Sequence, residues 1–256
     1  MNKMFAEERR NLILTQLQKE KRLAVKELAQ SLNVSEATLR TDLNIMEEEG
    51  LLTRTHGGAV LNQSIPSKNS FTERAMRNIE YKKTITNKAI KLIHYKNSIL
   101  LDASTTALEL ARKLKETDMR LTVVTNGLST AIELKENPNI NVIILGGIAR
   151  MGSMALEGLI GNAILNKINI DIMFTSASGF TIEDGLTDFN VYEVELKKQM
   201  IEKADKVVAL IDHTKIGSSS ISSFATIDQI DTLITDTKLS DDLIKELTSH
   251  EIKVIN

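Results

Sequence analysis

The sequence reads as an α/β chain in two parts, on three observations. Helical spacing of apolar residues, a turn, a second helical stretch and a glycine hairpin crowd into residues 1–61. From residue 98 onward short apolar runs alternate with amphipathic stretches, as in a Rossmann-like parallel sheet covered by helices on both faces. Between the two parts, residues 62–70 (NQSIPSKNS) are polar, hold one of the chain's two prolines and read as a linker. The expected domains are therefore 1–61 and 71–256, joined by 62–70.

The first part builds itself from local signals. Residues 7–18 carry Ile13, Leu14 and Leu17 at helical spacing, and residues 25–31 form a second helix with Leu28 and Ala29 apolar. Leu32-Asn33-Val34 makes the turn, where asparagine tolerates the left-handed conformation. Ser35 is a natural N-cap for the next helix. Leu39, Leu43 and Met46 face its core side, and Glu36, Ala37, Arg40 and Thr41 line the other. Gly50 stands at the C-cap position, Leu51 and Leu52 begin a strand, and Gly57-Gly58 is expected to make a tight turn. This is the layout of a winged helix-turn-helix, which lays its second helix in the DNA major groove. Ser35, Glu36, Ala37, Thr38, Arg40 and Thr41 would meet DNA from the helix, and Arg54, His56 and Gly57 from the wing. Glu47, Glu48 and Glu49 end the helix and would face away.

Charge neither supports nor opposes that reading. Residues 1–61 hold nine Lys/Arg against nine Asp/Glu, so no net basic charge draws this module to DNA.

The larger part opens with residues 71–94, mostly helical by pattern, with Ile85, Ala89, Ile90 and Ile93 on one face. Strands follow at 98–101, 121–124, 142–145, 172–175 and 207–211, with helices at 106–114, 128–134, 159–168 and 191–203. Short apolar runs at 233–234 and 254–255 and a helix at 243–247 close the chain. On such sheets ligands bind at the carboxyl ends of the strands.

Polar residues gather at those ends. Asp102-Ala103-Ser104-Thr105-Thr106 leads from the first strand into a helix, and hydroxylated residues at a helix start suit an anion. Thr125-Asn126-Gly127 follows the second strand, Gly146-Gly147 with Arg150 the third, and Asp212-His213-Thr214-Lys215 the last long one. Together they suit a phosphorylated sugar or polyol, though each loop alone reads as ordinary turn chemistry.

Composition excludes other chemistries. With no cysteine there is no disulfide, thiolate metal site or cysteine nucleophile. His56, His94, His213 and His250 are too scattered for a metal site, and no G-x-G-x-x-G marks a dinucleotide. No cofactor and no metal are expected. No run is long enough to span a membrane, and a cytoplasmic location is expected. Residues alone leave three classes open: a ligand-responsive DNA-binding regulator, a sugar-phosphate isomerase, and a module that uses the winged helix to bind protein. The expected partners are double-stranded operator DNA, a small phosphorylated effector and further copies of the chain, as homodimer or homotetramer. One module reads only a half-site.

The motif Val34-Ser35, Thr38-Leu39-Arg40, Asp42-Leu43, Met46-Glu47, Gly50, Leu52, Arg54 and His56-Gly57-Gly58-Ala59 resembles that of the DeoR family of bacterial sugar-metabolism repressors. Many members carry a second arginine where this chain has Thr41. The strand-end loops are similar to the sensor part of the same family, above all residues 185–200 in its hexitol and amino-sugar operon repressors. That part is similar in turn to ribose-5-phosphate isomerase. The resemblance implies that Ser104, Thr105, Thr106 and Lys215 hold a phosphate. It implies that Asp102, Asn126, Arg150, Glu193 and Lys197 reach the hydroxyl end, with Gly146, Gly147 and Asp212 lining the site. Ser104 replaces a usual glycine and would be strained at positive φ. Residues 175–179 lack the isomerase's carboxylates, and Lys197 falls where its catalytic glutamate would. A repressor that the phosphosugar releases is the implied function, with an isomerase-like enzyme as the alternative.

Overall fold

The computed structural model describes residues 6–48, 51–61 and 71–256. The chain divides into two compact units, Met1–Glu73 and Arg74–Asn256. The linker expected at 62–70 and the cap expected at Gly50 lie outside the described residues, as does Glu49.

The smaller unit runs α1 (Ala6–Glu20), β1 (Arg22–Ala24), α2 (Val25–Ser31), α3 (Glu36–Glu48), β2 (Leu52–Thr55) and β3 (Gly58–Leu61). Asn33 takes the left-handed conformation at φ 54°. Ser35 caps α3, its Oγ accepting from the Thr38 amide at 3.1 Å. Ile13, Leu17, Leu28, Leu39, Leu43, Met46 and Leu52 form the buried core. Arg9 holds the buried Asp42 carboxylate at 2.5 Å, which ties α1 to α3.

Two details differ from the sequence reading. A third strand, β1, pairs with β3. The turn is His56-Gly57, not Gly57-Gly58, because Gly58 already pairs with Ala24 in the sheet. Its hydrogen side faces the Leu23 carbonyl so closely that a Cβ would stand 1.8 Å from that oxygen.

In the larger unit α4 (Phe71–Met76) leads in across the boundary, and α5 (Ile79–Ala89) follows. The expected continuous helix is broken at Asn78, which turns left-handed at φ 54°. The sheet strands are β4 (Ser98–Leu101), β5 (Leu121–Thr125), β6 (Ile140–Ile144), β9 (Ile172–Thr175), β12 (Val207–Leu210), β14 (Thr232–Ile234) and β15 (Lys253–Ile255). They lie parallel in the order β15-β14-β12-β9-β4-β5-β6. The chain winds outward from β4 to one edge and then from β9 to the other. The switch point therefore falls between β4 and β9, and sheets of this kind bind their ligands there, at the carboxyl ends of the strands.

Alternate strand residues divide between two cores. Ile99, Leu101, Val123, Phe174 and Leu210 pack under α5, α6 (Thr105–Lys115) and α7 (Leu128–Leu134). Leu100, Val124, Met173 and Ala209 pack under α9 (Val191–Lys203) and α10 (Asp241–Ser249).

The same side holds an antiparallel sheet that the sequence pattern did not announce: β10 (Gly179–Thr181), β11 (Gly185–Asp188) and β13 (Ser222–Ala225). A small hairpin of β7 (Ile148–Ala149) and β8 (Leu156–Glu157) follows β6. The helix expected at 159–168 shortens to a 3-10 turn, Leu159–Gly161, and α8 (Asn162–Leu165). Gly161 has to come against the Gly146 carbonyl, where a Cβ would be 2.8 Å away.

Candidate functional site

In the smaller unit α3 presents an open face. Ser35, Glu36, Ala37, Arg40 and Thr41 are exposed, and Thr38 is half-buried, sharing a hydroxyl hydrogen bond with Ser35. Arg40 pairs with Glu36 one turn back at 2.9 Å. Such an exposed pair contributes only about 0.3–0.5 kcal/mol, so a phosphate or base edge can displace it. His56 and Gly57 are exposed at the wing tip.

Arg54 is half-buried, and its guanidinium donates to the Arg40 carbonyl and the Asn44 side chain, which braces the wing against α3. Glu47 accepts from the Arg54 amide at 2.7 Å and joins the same brace instead of facing solvent alone. Asn44, exposed one turn beyond Arg40, belongs to this face and was missed, although its i+4 spacing could have found it.

In the larger unit the loops after β4, β5, β6, β9 and β12 share one edge of the sheet. At the switch point the buried Asp102 is fully engaged. Its Oδ1 accepts from the Ser104 amide at 3.0 Å, and its Oδ2 from Thr175 Oγ1 at 2.6 Å and the Ser176 amide at 3.1 Å. It positions the two loops, a different task from the ligand contact expected of it. Ser104 also differs. At φ −74° it is unstrained, and its Oγ caps α6 by accepting from the Ala107 amide at 3.1 Å. Thr105 and Thr106 form the first turn of that helix, both buried.

Lys197 reaches the same point from α9. Its ammonium lies 2.7 Å from Asp188 Oδ2 and 3.1 Å from Asp102 Oδ2, and it donates to the Ser176 carbonyl at 2.9 Å. Burial alone would lower its pKa, but Asp188, Asp102 and Glu193 outweigh burial and hold it above the ordinary value. Burial likewise works against the Asp188 carboxylate, and Lys197 overcomes it and holds that pKa low. Asp188 also accepts from Ser178 at 2.8 Å. It comes from β11, whose sheet the sequence pattern concealed, so it was missed.

Around this pair sit further cations. Lys215 donates to Ser176 Oγ at 3.1 Å and lies 3.7 Å from Asp212, while burial pushes its pKa down. Lys82 on α5 donates to the carbonyls of Arg74 and Arg77, and burial with the nearby Lys215 charge lowers its pKa to about 8. Arg74 acts on both lysines in the same direction. Lys82 and Arg74 were not expected here. They lie over 100 residues before Lys215 on a helical arm, where Lys82 reads as an ordinary surface charge.

The other end of the site is polar and acidic. Asn126 donates to the Leu156 carbonyl at 3.1 Å, while its buried Oδ1 has no partner among the described residues. Asn190 donates to Glu157 at 2.7 Å and to Glu193 at 2.8 Å. Burial and the Asp188 charge raise the Glu193 pKa to about 7. Arg150 pairs with Glu157 at 2.8 Å and lies 3.9 Å over the Tyr192 ring. Gly147 lets the hairpin close, because a Cβ there would be 2.6 Å from the Glu157 carbonyl, whereas Gly146 faces open space. A site with cations at one end and hydrogen-bonding groups at the other can hold a small anionic polyol. Among the described residues no cluster of His, Asp or Glu is placed to hold a metal, and no helix is long and apolar enough to cross a membrane.

Comparison with known proteins bears on both units. Residues 9–65 match the DeoR-like helix-turn-helix domain, and residues 77–237 match the DeoR C terminal sensor domain. The chain is 48% identical over 251 residues to the HTH-type transcriptional regulator GolR of Listeria innocua, covering 98% of each chain. It is 32% identical to the L-fucose operon activator of Haemophilus influenzae, over 96% of this chain and 98% of that one. A solved ribose 5-phosphate isomerase A from Methanocaldococcus jannaschii aligns with a TM-score of 0.41 and 18% identity, over 54% of this chain and 55% of that one.

Proposed function

The chain belongs to the DeoR family of DNA-binding transcriptional regulators, and from that premise we propose that it represses a carbohydrate-utilisation operon until a phosphorylated sugar or polyol releases it. The exposed face of α3 reads the operator in the major groove, led by Arg40, with His56 and Gly57 at the adjoining backbone. In the larger unit Lys215, Lys82 and the first turn of α6 take the phosphate. Asn126, Arg150, Asn190 and Glu193 take the hydroxyls.

The observation that carries the ligand class is the approach of buried Lys82 to half-buried Lys215, whose charge helps to lower the Lys82 pKa, both lysines being held below the ordinary value. Buried like charges repel, and a dianion relieves them with charge-assisted hydrogen bonds. The unpaired Asn126 Oδ1 adds an acceptor for a hydroxyl.

Both relatives are regulators of transcription, and the residues of this site suit binding rather than turnover. Asp188, the carboxylate nearest Lys197, is held ionised by it, which makes it a weak general base.

The test is a DNA-release titration against sugar and polyol phosphates, with turnover of each compound followed in parallel. Wild-type protein should leave its operator as the effector is added, without consuming it. Lys215→Ala should bind the operator and stay bound. Release of both proteins at the same effector concentration would place the phosphate elsewhere.

A further inference from the structure

Six of the eleven exposed large apolar side chains among the described residues of the larger unit fall within residues 144–164. Ile144 ends β6, Ile148 and Met151 lie in the hairpin after it, and Leu159, Ile160 and Ile164 follow in the turn and α8. All six are open to solvent, Met151 at 85% and Ile160 at 69%. Gly147 against Glu157 and Gly161 against Gly146 bring the backbones of these segments together, so the six side chains belong to one neighbourhood of the surface. That neighbourhood borders β6, the last strand of the sheet.

Its chemistry is unlike the rest of the chain. Charged residues are 26% overall, yet between 137 and 166 only Arg150 and Glu157 are charged. Those two neutralise each other at 2.8 Å. A charged partner would find nothing to answer it. An apolar, neutral partner would, and the same patch on another copy of the chain is such a partner. The six side chains expose on the order of 600 Å², the top of the range for a monomer's largest patch. Two copies would bury about 1,200 Å², where specific interfaces begin.

We propose that this face docks a second copy of the same chain, patch against patch about a twofold axis. A twofold contact needs a self-complementary surface, and an uncharged apolar one is complementary to itself. The inference rests on the regulator reading only in supplying the paired modules that two half-sites require.

The test uses the full chain. Wild-type protein should sediment as a dimer or larger at micromolar concentration. Met151→Glu and Ile160→Lys should each weaken the association by about tenfold or more. Because the chain has no cysteine, Ile160→Cys supplies a single thiol. Its reaction with a maleimide should slow as concentration rises, while the thiol of Tyr95→Cys, on the exposed loop before β4, should react alike at all concentrations. This second readout stands even where a charged substitution impairs folding. A monomeric wild type, undiminished association in both charged variants, or equal protection of the two thiols would overturn the proposal. A dimer that binds no DNA would instead count against the regulator reading and leave the surface standing.

Discussion

Lys197 and Glu193 share one helix face and meet opposite fates, which shows how position sets the chemistry of a side chain. Lys197 stands between Asp102 and Asp188. Removing its charge in Lys197→Met leaves two buried carboxylates facing each other, and the expected cost is about 3–5 kcal/mol. A denaturant titration checks this, and an unchanged midpoint would mean that the three groups are not an ion triad. Glu193 is held up to about 7 by burial and by Asp188. Between the ordinary glutamate value and about 7, the native state keeps a proton that the unfolded chain has lost. Its contribution to stability is therefore present at low pH and disappears as pH rises through that window. Melting temperature followed from about pH 5 to about pH 8 should fall less steeply in Glu193→Gln than in the wild type. Parallel curves would show that Glu193 titrates normally.

At the scale of elements, the wing depends on one glycine and not on its neighbour. A Cβ at Gly58 would collide with the Leu23 carbonyl at 1.8 Å, while one at Gly57 meets nothing within 4 Å. Gly58→Ala should force β1 away from β3, lower the melting temperature of the smaller unit and weaken operator binding. Gly57→Ala should leave both nearly unchanged. Equal behaviour of the two variants would mean that the wing tolerates opening. The sequence could not separate these glycines, because the collision comes from Leu23, which sits far back in the chain. Elements defined by local signals were legible: the Asn33 turn, the Ser35 cap, the apolar stripe of α3 and the buried parallel strands. The antiparallel trio was not. Its strands are three or four residues long and carry buried Thr187 and Asp188 instead of an apolar alternation. The candidate pocket was half legible for the same reason. Strand-end residues follow from topology, whereas Asp188, Lys82 and Arg74 reach the pocket from segments whose local pattern says nothing about it.

At the scale of the whole molecule, DNA reading and pairing of copies make a joint prediction. Arg40 is exposed, and among the described residues its guanidinium is held by a weak pair with Glu36. Arg40→Ala should therefore spare the fold and cost about 1–3 kcal/mol of operator affinity if the side chain reads a guanine. If copies pair through the apolar edge, an excess of Arg40→Ala chains will capture wild-type chains in mixed dimers that hold only one competent module. Operator occupancy at fixed wild-type concentration should then fall as the variant is added, well before the variant could compete for DNA itself. Introducing Ile160→Lys into the Arg40→Ala chain should abolish that interference, because such a chain can no longer pair. The measurement is a mobility shift at constant wild-type protein with each variant titrated in, after time for subunit exchange. Interference that persists with Ile160→Lys present would place the pairing surface elsewhere. No interference from Arg40→Ala would mean that each chain meets its operator alone.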